Sequence, residues 1–486
     1  MIISWKNTLI YILFFSIIYK FKCDEYRIPF GLYRDKERCS DYDIMNNIFF
    51  NILHVNLSIG TPPQNVPLEL NMNSQTFAIN SQVYDNKSIT YEKLSDYIID
   101  EFKEDEFISS GFNSMDILHL NDKKEKINFV LTTEIKYEYF PFGILGLAIP
   151  TDVESEVYPF FNSLKRADMI NSYTWTLKYF DNISLIETLY GNENNNIIGE
   201  FIFGDEPHNY ERDKSRYDRY QLIKVNPVSS YYFYWEIEFT DIYLLYPDIE
   251  NNNNSSNRIN IKLNGRTKIM PGAGFIFIPK EFNYMIEKRF FDNYYKEKIC
   301  RGKTINNTIY GYIECDNINS FNVSTFPNIC FEHKEFETTF NFTYQDLFLY
   351  DKENDKYMFL MINDENLYGW VFGSIFLRKY QLIFNQDSKT IGYYKSMNNY
   401  YDNEKDNEKD TEKNKKNMII IYIIIIYIII GIFLIVFCFL LITFGMYIQK
   451  RYFNKKKKRA NELDNSFDYE NKEDNMIQKE NNDEIN

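Results

Sequence analysis

Apolar residues follow two different patterns along the chain. Two unbroken runs stand near the ends, Thr8 to Tyr19 and Met418 to Ile448. Between them lie shorter segments, the clearest of which alternate apolar and polar positions as half-buried β-strands do. The first predicts a strand from His54 to Ile59, then a turn at Gly60-Thr61-Pro62-Pro63 that presets the backbone and ends the pairing. The return strand places Val66, Leu68 and Leu70 on one face, and the chain then enters a small polar loop starting at Asn71.

The terminal runs predict different fates. Thr8 to Tyr19 follows Lys6 and is too short to span a bilayer comfortably, which reads as a signal-peptide core within residues 1–23 or, since no small-residue cleavage site is evident, as an uncleaved anchor. Met418 to Ile448 carries no charge and exceeds the roughly 20 residues a bilayer core requires. Lys450-Arg451 and the cluster Lys455 to Arg459 follow it, predicting a transmembrane helix over 418–448 and a cytosolic tail over 449–486. Residues 397–417, rich in Asp, Glu, Lys and Asn, read as a solvated stalk. The expected arrangement is a single-pass type I membrane protein of the secretory pathway or cell surface, its body lumenal or extracellular.

Composition narrows the function classes. With 486 residues and 44% hydrophobic content, the chain has enough apolar surface for one large two-lobed core or two ordinary domains. A net charge of -15 argues against non-specific nucleic-acid binding. The four histidines stand far apart and no cysteine pair has zinc-ligand spacing, so neither a metal nor a cofactor is expected. The Asn runs at 192–196 and 251–254 read as tolerated loop insertions. Cys438 falls in the second apolar run. Cys300, Cys315 and Cys330 cluster closely enough to suggest one disulfide among them, and Cys23 and Cys39 form a second candidate pair if the leader is removed ahead of Cys23.

The run Ile59-Gly60-Thr61-Pro62-Pro63-Gln64 resembles the active-site hairpin of pepsin-like aspartic peptidases. Further segments resemble that family in the same order. They are the glycine-containing strand Phe142 to Ala148, the helix-like Tyr158 to Arg166, the strand Tyr173 to Tyr179, the inter-lobe strand Gly199 to Gly204 and Tyr234-Trp235-Glu236-Ile237. The closing block Trp370 to Tyr380, with Ile383-Phe384-Asn385 and Ile391-Gly392-Tyr393, is the strongest match. The resemblance implies an all-β, bilobal fold with an inter-lobe sheet and short helices, its lobes spanning residues 24–225 and 226–396. Membrane anchoring adds a likeness to the plasmepsin-type branch.

In that family an aspartate lies seven positions past the Gln of the turn, and the second lobe repeats the loop with a proline nine positions past its aspartate. Those frames fall on Asn71 and, counted back from Pro279, on Met270. The hydroxyl residues that follow each aspartate fall on Met72 and Pro271. Asn73, Ser74, Gly143, Gly272, Ala273 and Gly274 are the implied cleft-lining residues. Gly111 and Asp116 match the end of the substrate-covering flap, whereas Phe102 to Glu106, where its tyrosine belongs, is acidic and lacks glycine; either the flap's clamping chemistry is lost or a longer flap has its tyrosine shifted to Tyr97. Aspartic peptidases need two carboxylates that share a proton, one acting as base and one as acid. The expectation is therefore an inactive homologue that binds a peptide or protein partner. The competing classes are an active endopeptidase and a structural or adhesive ectodomain.

Overall fold

Burial follows the alternation of the opening hairpin. Leu53, Val55, Leu57 and Ile59 on one strand and Val66, Leu68 and Leu70 on the other are buried, with Val55 opposite Leu68 and Leu57 opposite Val66. The strands span β2 (Ile52–Ile59) and β3 (Gln64–Asn71), joined through Gly60, whose φ of 94° lies in the left-handed region that glycine enters without strain. The computed structural model describes residues 25–34, 43–95, 109–135, 142–149, 159–191, 196–209, 220–228, 234–247, 258–306, 308–364, 367 and 369–396. The leader, stalk, second apolar run and tail lie outside the described residues, as do Cys23, Cys39 and Phe102 to Glu106. Among the described residues no helix is long and apolar enough to cross a membrane.

Ahead of the hairpin stand a strand, β1 (Tyr26–Tyr33), and a short helix, α1 (Ile44–Phe50), whose first turn is capped by the Asp43 carboxylate accepting from Asn46 N at 3.0 Å. The hairpin is followed by β4 (Phe77–Asn80), β5 (Glu92–Lys93), β6 (Ser109–Leu120), β7 (Lys123–Ile135) and β8 (Gly143–Gly146). After helix α2 (Phe160–Arg166) come β9 (Thr174–Tyr179), helix α3 (Leu185–Tyr190) and β10 (Ile197–Phe203). The chain enters its second half through β11 (Tyr220–Val225) and β12 (Glu236–Glu238). Then follow β13 (Asp241–Leu245), β14 (Arg258–Ile261), β15 (Arg266–Ile269) and β16 (Ile276–Ile278). After further helical turns the closing strands are β17 (Cys300–Thr304), β18 (Gly311–Asp316), β19 (Asn328–His333), β20 (Thr338–Phe342), β21 (Phe348–Asp351), β22 (Lys356–Phe359), β23 (Met361–Asn363), β24 (Trp370–Phe372), β25 (Leu382–Asn385) and β26 (Thr390–Ser396).

One 13-stranded sheet runs β11-β26-β25-β9-β10-β1-β2-β3-β8-β4-β7-β6-β5. Its first six strands join elements from both halves of the chain and form the inter-lobe sheet. Trp175 on β9 stacks on Phe384 of β25 at 4.3 Å between ring centroids, and Trp235 meets Phe384 edge-on at 5.2 Å. The abundant phenylalanines fill the second half's core. Phe239, Phe331, Phe340, Phe342, Phe372 and Phe376 form one cluster of ring contacts; Phe291, Phe326, Phe348 and Phe359 form another.

Cys300 and Cys315, directly opposite on β17 and β18, form a disulfide, as the clustering in the sequence predicts. Cys330 is a buried free thiol whose pKa is raised by burial, so it stays protonated.

Candidate functional site

The same five-strand arrangement occurs twice. In the first half the order is β2-β3-β8-β4-β7, in the second β12-β15-β24-β16-β23. In each, the second strand of an antiparallel pair runs parallel with a threading strand, β3 with β8 and β15 with β24. The threading strand pairs antiparallel with the strand that leaves the loop, β8 with β4 and β24 with β16. The loops from β3 to β4 and from β15 to β16 are therefore topological counterparts, beginning at Asn71 and Met270.

The backbone holds both loops alike. Ser74 O accepts from Ala148 N at 2.9 Å, and Ala273 O accepts from Ser374 N at 2.9 Å. Each carbonyl lies three residues past the loop's first position, and each donor lies two residues past a threading strand. A chain of hydrogen bonds links the loops: Leu147 N donates to Asn71 O at 2.7 Å, Trp235 Nε1 to Leu147 O at 2.7 Å, and Ile269 N to Trp235 O at 2.9 Å.

In the first loop Asn71 Oδ1 accepts from Asn73 N at 2.8 Å, and Asn71 Nδ2 points to Glu69 Oε1 at 3.4 Å. Ser74 is buried and its Oγ accepts from Thr76 N at 3.0 Å. Met72 is packed in the core. In the second loop Met270 N donates to Phe372 O at 2.8 Å, and buried Pro271 accepts from Ser374 Oγ at 2.8 Å through its carbonyl. The Asn71 amide donates and accepts hydrogen bonds without taking up a proton, and the Met270 thioether is only a weak acceptor.

The glycines divide by their surroundings. Gly272 is exposed, with nothing within 4 Å of an added Cβ, and Ala273 beside it is half-buried. Gly274 is packed against Ile48 of α1, whose Cγ2 stands 2.6 Å from the Cβ position. Gly143 is buried inside the sheet rather than on a cleft wall. A Cβ there meets Ala78 O at 2.3 Å and Leu68 Cδ2 at 2.6 Å, so this glycine serves the close approach of β8 to β3 and β4.

Asp116 has a structural place. It is fully buried on β6 and accepts from the Tyr84 hydroxyl, the Thr90 hydroxyl and Ile117 N. Thr90 Oγ1 in turn accepts from the Thr61 hydroxyl at 2.9 Å, which ties this region to the turn after Gly60. Burial, and next the bond to Asp116, raise the Tyr84 pKa. Pairing of Glu92 with Met115 and Lys93 with Ser114 brings β5 and β6 together, and Tyr97, like Phe102 to Glu106, lies outside the described residues.

Two polar residues that the sequence pattern does not single out stand beside Asn71. Glu69 shares its face of β3, opposite to the core residues Leu68 and Leu70, and His54 lies directly across from Glu69 on β2. Burial pushes the Glu69 carboxyl up to about 7, with the Asn71 amide opposing the shift. Glu69 Oε2, Asn73 Oδ1 and His54 Nδ1 are all shielded from solvent without a hydrogen-bond partner. The His54 ring stacks on Phe142 at 5.5 Å and meets Tyr33 edge-on at 6.5 Å. Burial lowers its pKa, with the backbone of Gly31 and Ile52 acting the other way.

The mostly-β architecture with its duplicated, threaded loops is consistent with the pepsin-like fold. The family model described as eukaryotic aspartyl protease matches residues 54–395, so the chain belongs to that family. A search of curated proteins returns no match.

Proposed function

We propose that this protein is a catalytically inactive member of the aspartyl protease family, anchored by the apolar segment 418–448, that binds a peptide or protein partner. One observation carries the reading: the two counterpart loops begin with Asn71 and Met270, where the family's mechanism requires two carboxylates sharing one proton. Loss of general acid–base help alone costs about 10²- to 10⁴-fold in rate, and here acid and base are absent together.

The neighbouring residues fit the same reading. Met72 and Pro271 bring no hydroxyl to the loops, and Met72 lies in the core. The strand frame and the inter-loop hydrogen bonds nevertheless persist, which leaves the two loops held together without their acids. Partner capture tests this directly. Full-length protein incubated with a randomised octapeptide pool between pH 4 and 7 is expected to retain intact peptides. Release of cleaved products, or retention no greater than by a heat-unfolded sample, overturns the reading.

A further inference from the structure

We propose that the cluster formed by Glu69, Asn71, Asn73 and His54 is a subsite for a cationic group of a bound peptide, an ammonium or a guanidinium. The proposal rests on the peptide-binding reading above and specifies its chemistry. Glu69 Oε1 takes the Asn71 Nδ2 donor at 3.4 Å, and Asn71 Oδ1 is occupied by Asn73 N at 2.8 Å. What remains open is acceptor capacity: Glu69 Oε2 and Asn73 Oδ1 have no donor.

Buried polar atoms left unpaired cost roughly 1–3 kcal/mol each, and more when charged. A group supplying only donors relieves that cost, and the ammonium and guanidinium groups are such donors. Position agrees with this chemistry. Glu69, Asn71, Asn73 and His54 are each half-buried, so the cluster reaches the surface although the unpaired atoms are shielded. Tyr33 and Phe142, in edge-on contact at 4.6 Å, stand with His54 as an aromatic wall that suits a cation. The groups facing Glu69 from neighbouring elements are His54 on β2, Ile144 on β8 and the Asn71 and Asn73 amides; among these described residues none is a lysine or arginine.

The test uses full-length protein at pH 8, where the Glu69 carboxyl is ionised, and a peptide set on one scaffold, with each position scanned as Lys, Arg, norleucine or Glu and the amino terminus free or acetylated. We expect Lys or Arg at one position, or the free terminus, to bind about tenfold more tightly than the neutral counterpart. Glu69→Gln should erase that preference, and Glu69→Leu should shift it toward norleucine. Binding without any cationic preference, or a preference that survives Glu69→Gln, overturns the subsite and leaves the peptide-binding reading standing. A second measurement needs no peptide. At matched ionic strength n-butylammonium should raise the unfolding temperature of wild type relative to sodium, and should not do so for Glu69→Gln. If no peptide binds but this shift is seen, the cation site holds and the peptide-binding reading fails; absence of the shift counts against the site itself.

Discussion

Trp235 and Leu147 are joined by a 2.7 Å hydrogen bond from the indole N–H to a main-chain carbonyl, across the boundary between the two halves of the fold. Leu147 also donates to Asn71 O, and Trp235 O accepts from Ile269 N, next to Met270. One side chain thus connects the two loops on which the site is built. Trp235→Phe keeps most of the buried ring but leaves the Leu147 carbonyl without this donor. We expect a loss of about 1–3 kcal/mol in unfolding free energy, read from the denaturant midpoint.

Close packing and open space separate two glycines. Gly143→Ala forces a Cβ to within 2.3 Å of Ala78 O, whereas Gly272→Ala meets nothing within 4 Å. The first substitution should destabilise the fold by about 1–3 kcal/mol or more, the second by less than about 0.5 kcal/mol. Thermal unfolding of the two variants side by side gives the comparison.

The Glu69 carboxyl makes stability fall as pH rises. Its pKa moves from an ordinary 4.5 to about 7 on folding, so between those values the folded protein holds a proton that the unfolded chain has lost. The contribution is fully present below about pH 4.5 and gone above about pH 7, with a span of about 3 kcal/mol as an upper bound. The difference between wild type and Glu69→Gln in denaturant unfolding, taken from pH 4.5 to 7.5, should show that decline.

His333 acts in the opposite direction. Burial lowers its pKa from 6.5 to about 4, and its Nδ1 accepts from Phe336 N at 3.1 Å, which fixes the neutral ring with its proton on Nε2. The unfolded chain binds the proton first, so this contribution is present above pH 6.5 and is lost as pH falls toward 4, again by about 3 kcal/mol at most. His333→Asn, which keeps an acceptor near the same place, should flatten that part of the stability profile relative to wild type.

Much of the architecture was legible because it rests on local signals. The alternation at Val66, Leu68 and Leu70 and the Gly60 turn specify β2 and β3, and the blocks around Phe142, Gly199 and Trp370 mark strands that the structure contains. The helix α1 was not legible, since Ile44-Met45-Asn46-Asn47-Ile48-Phe49-Phe50 holds few strong helix formers and is fixed by packing, including Phe49 against Tyr310 at 5.2 Å. Gly143 reads as a cleft residue by its place in a motif, while its function depends on two neighbouring strands. Glu69 is hidden for a related reason. A polar residue between two core leucines reads as a solvated strand face, and only the partners brought by β2 and the Phe142 region shield its carboxyl oxygen from water. Its parity with Asn71, two residues on, was the available signal.

Reinstating the acids should not by itself reinstate catalysis. In Asn71→Asp with Met270→Asp the carboxylates sit beside Met72 and Pro271, which offer no hydroxyl to hold them, and Glu69 adds a third acid two residues from the first. We expect the double variant to stay below about one-hundredth of the rate expected for a family peptidase carrying the intact acid pair.

We propose that this protein keeps the aspartyl protease frame without its proton-transfer chemistry. The direct measurement is mass-spectrometric detection of new peptide termini after prolonged incubation of wild-type full-length protein with a mixed peptide pool between pH 3 and 7. No termini beyond those in buffer alone are expected. Reproducible cleavage that pepstatin suppresses would contradict it.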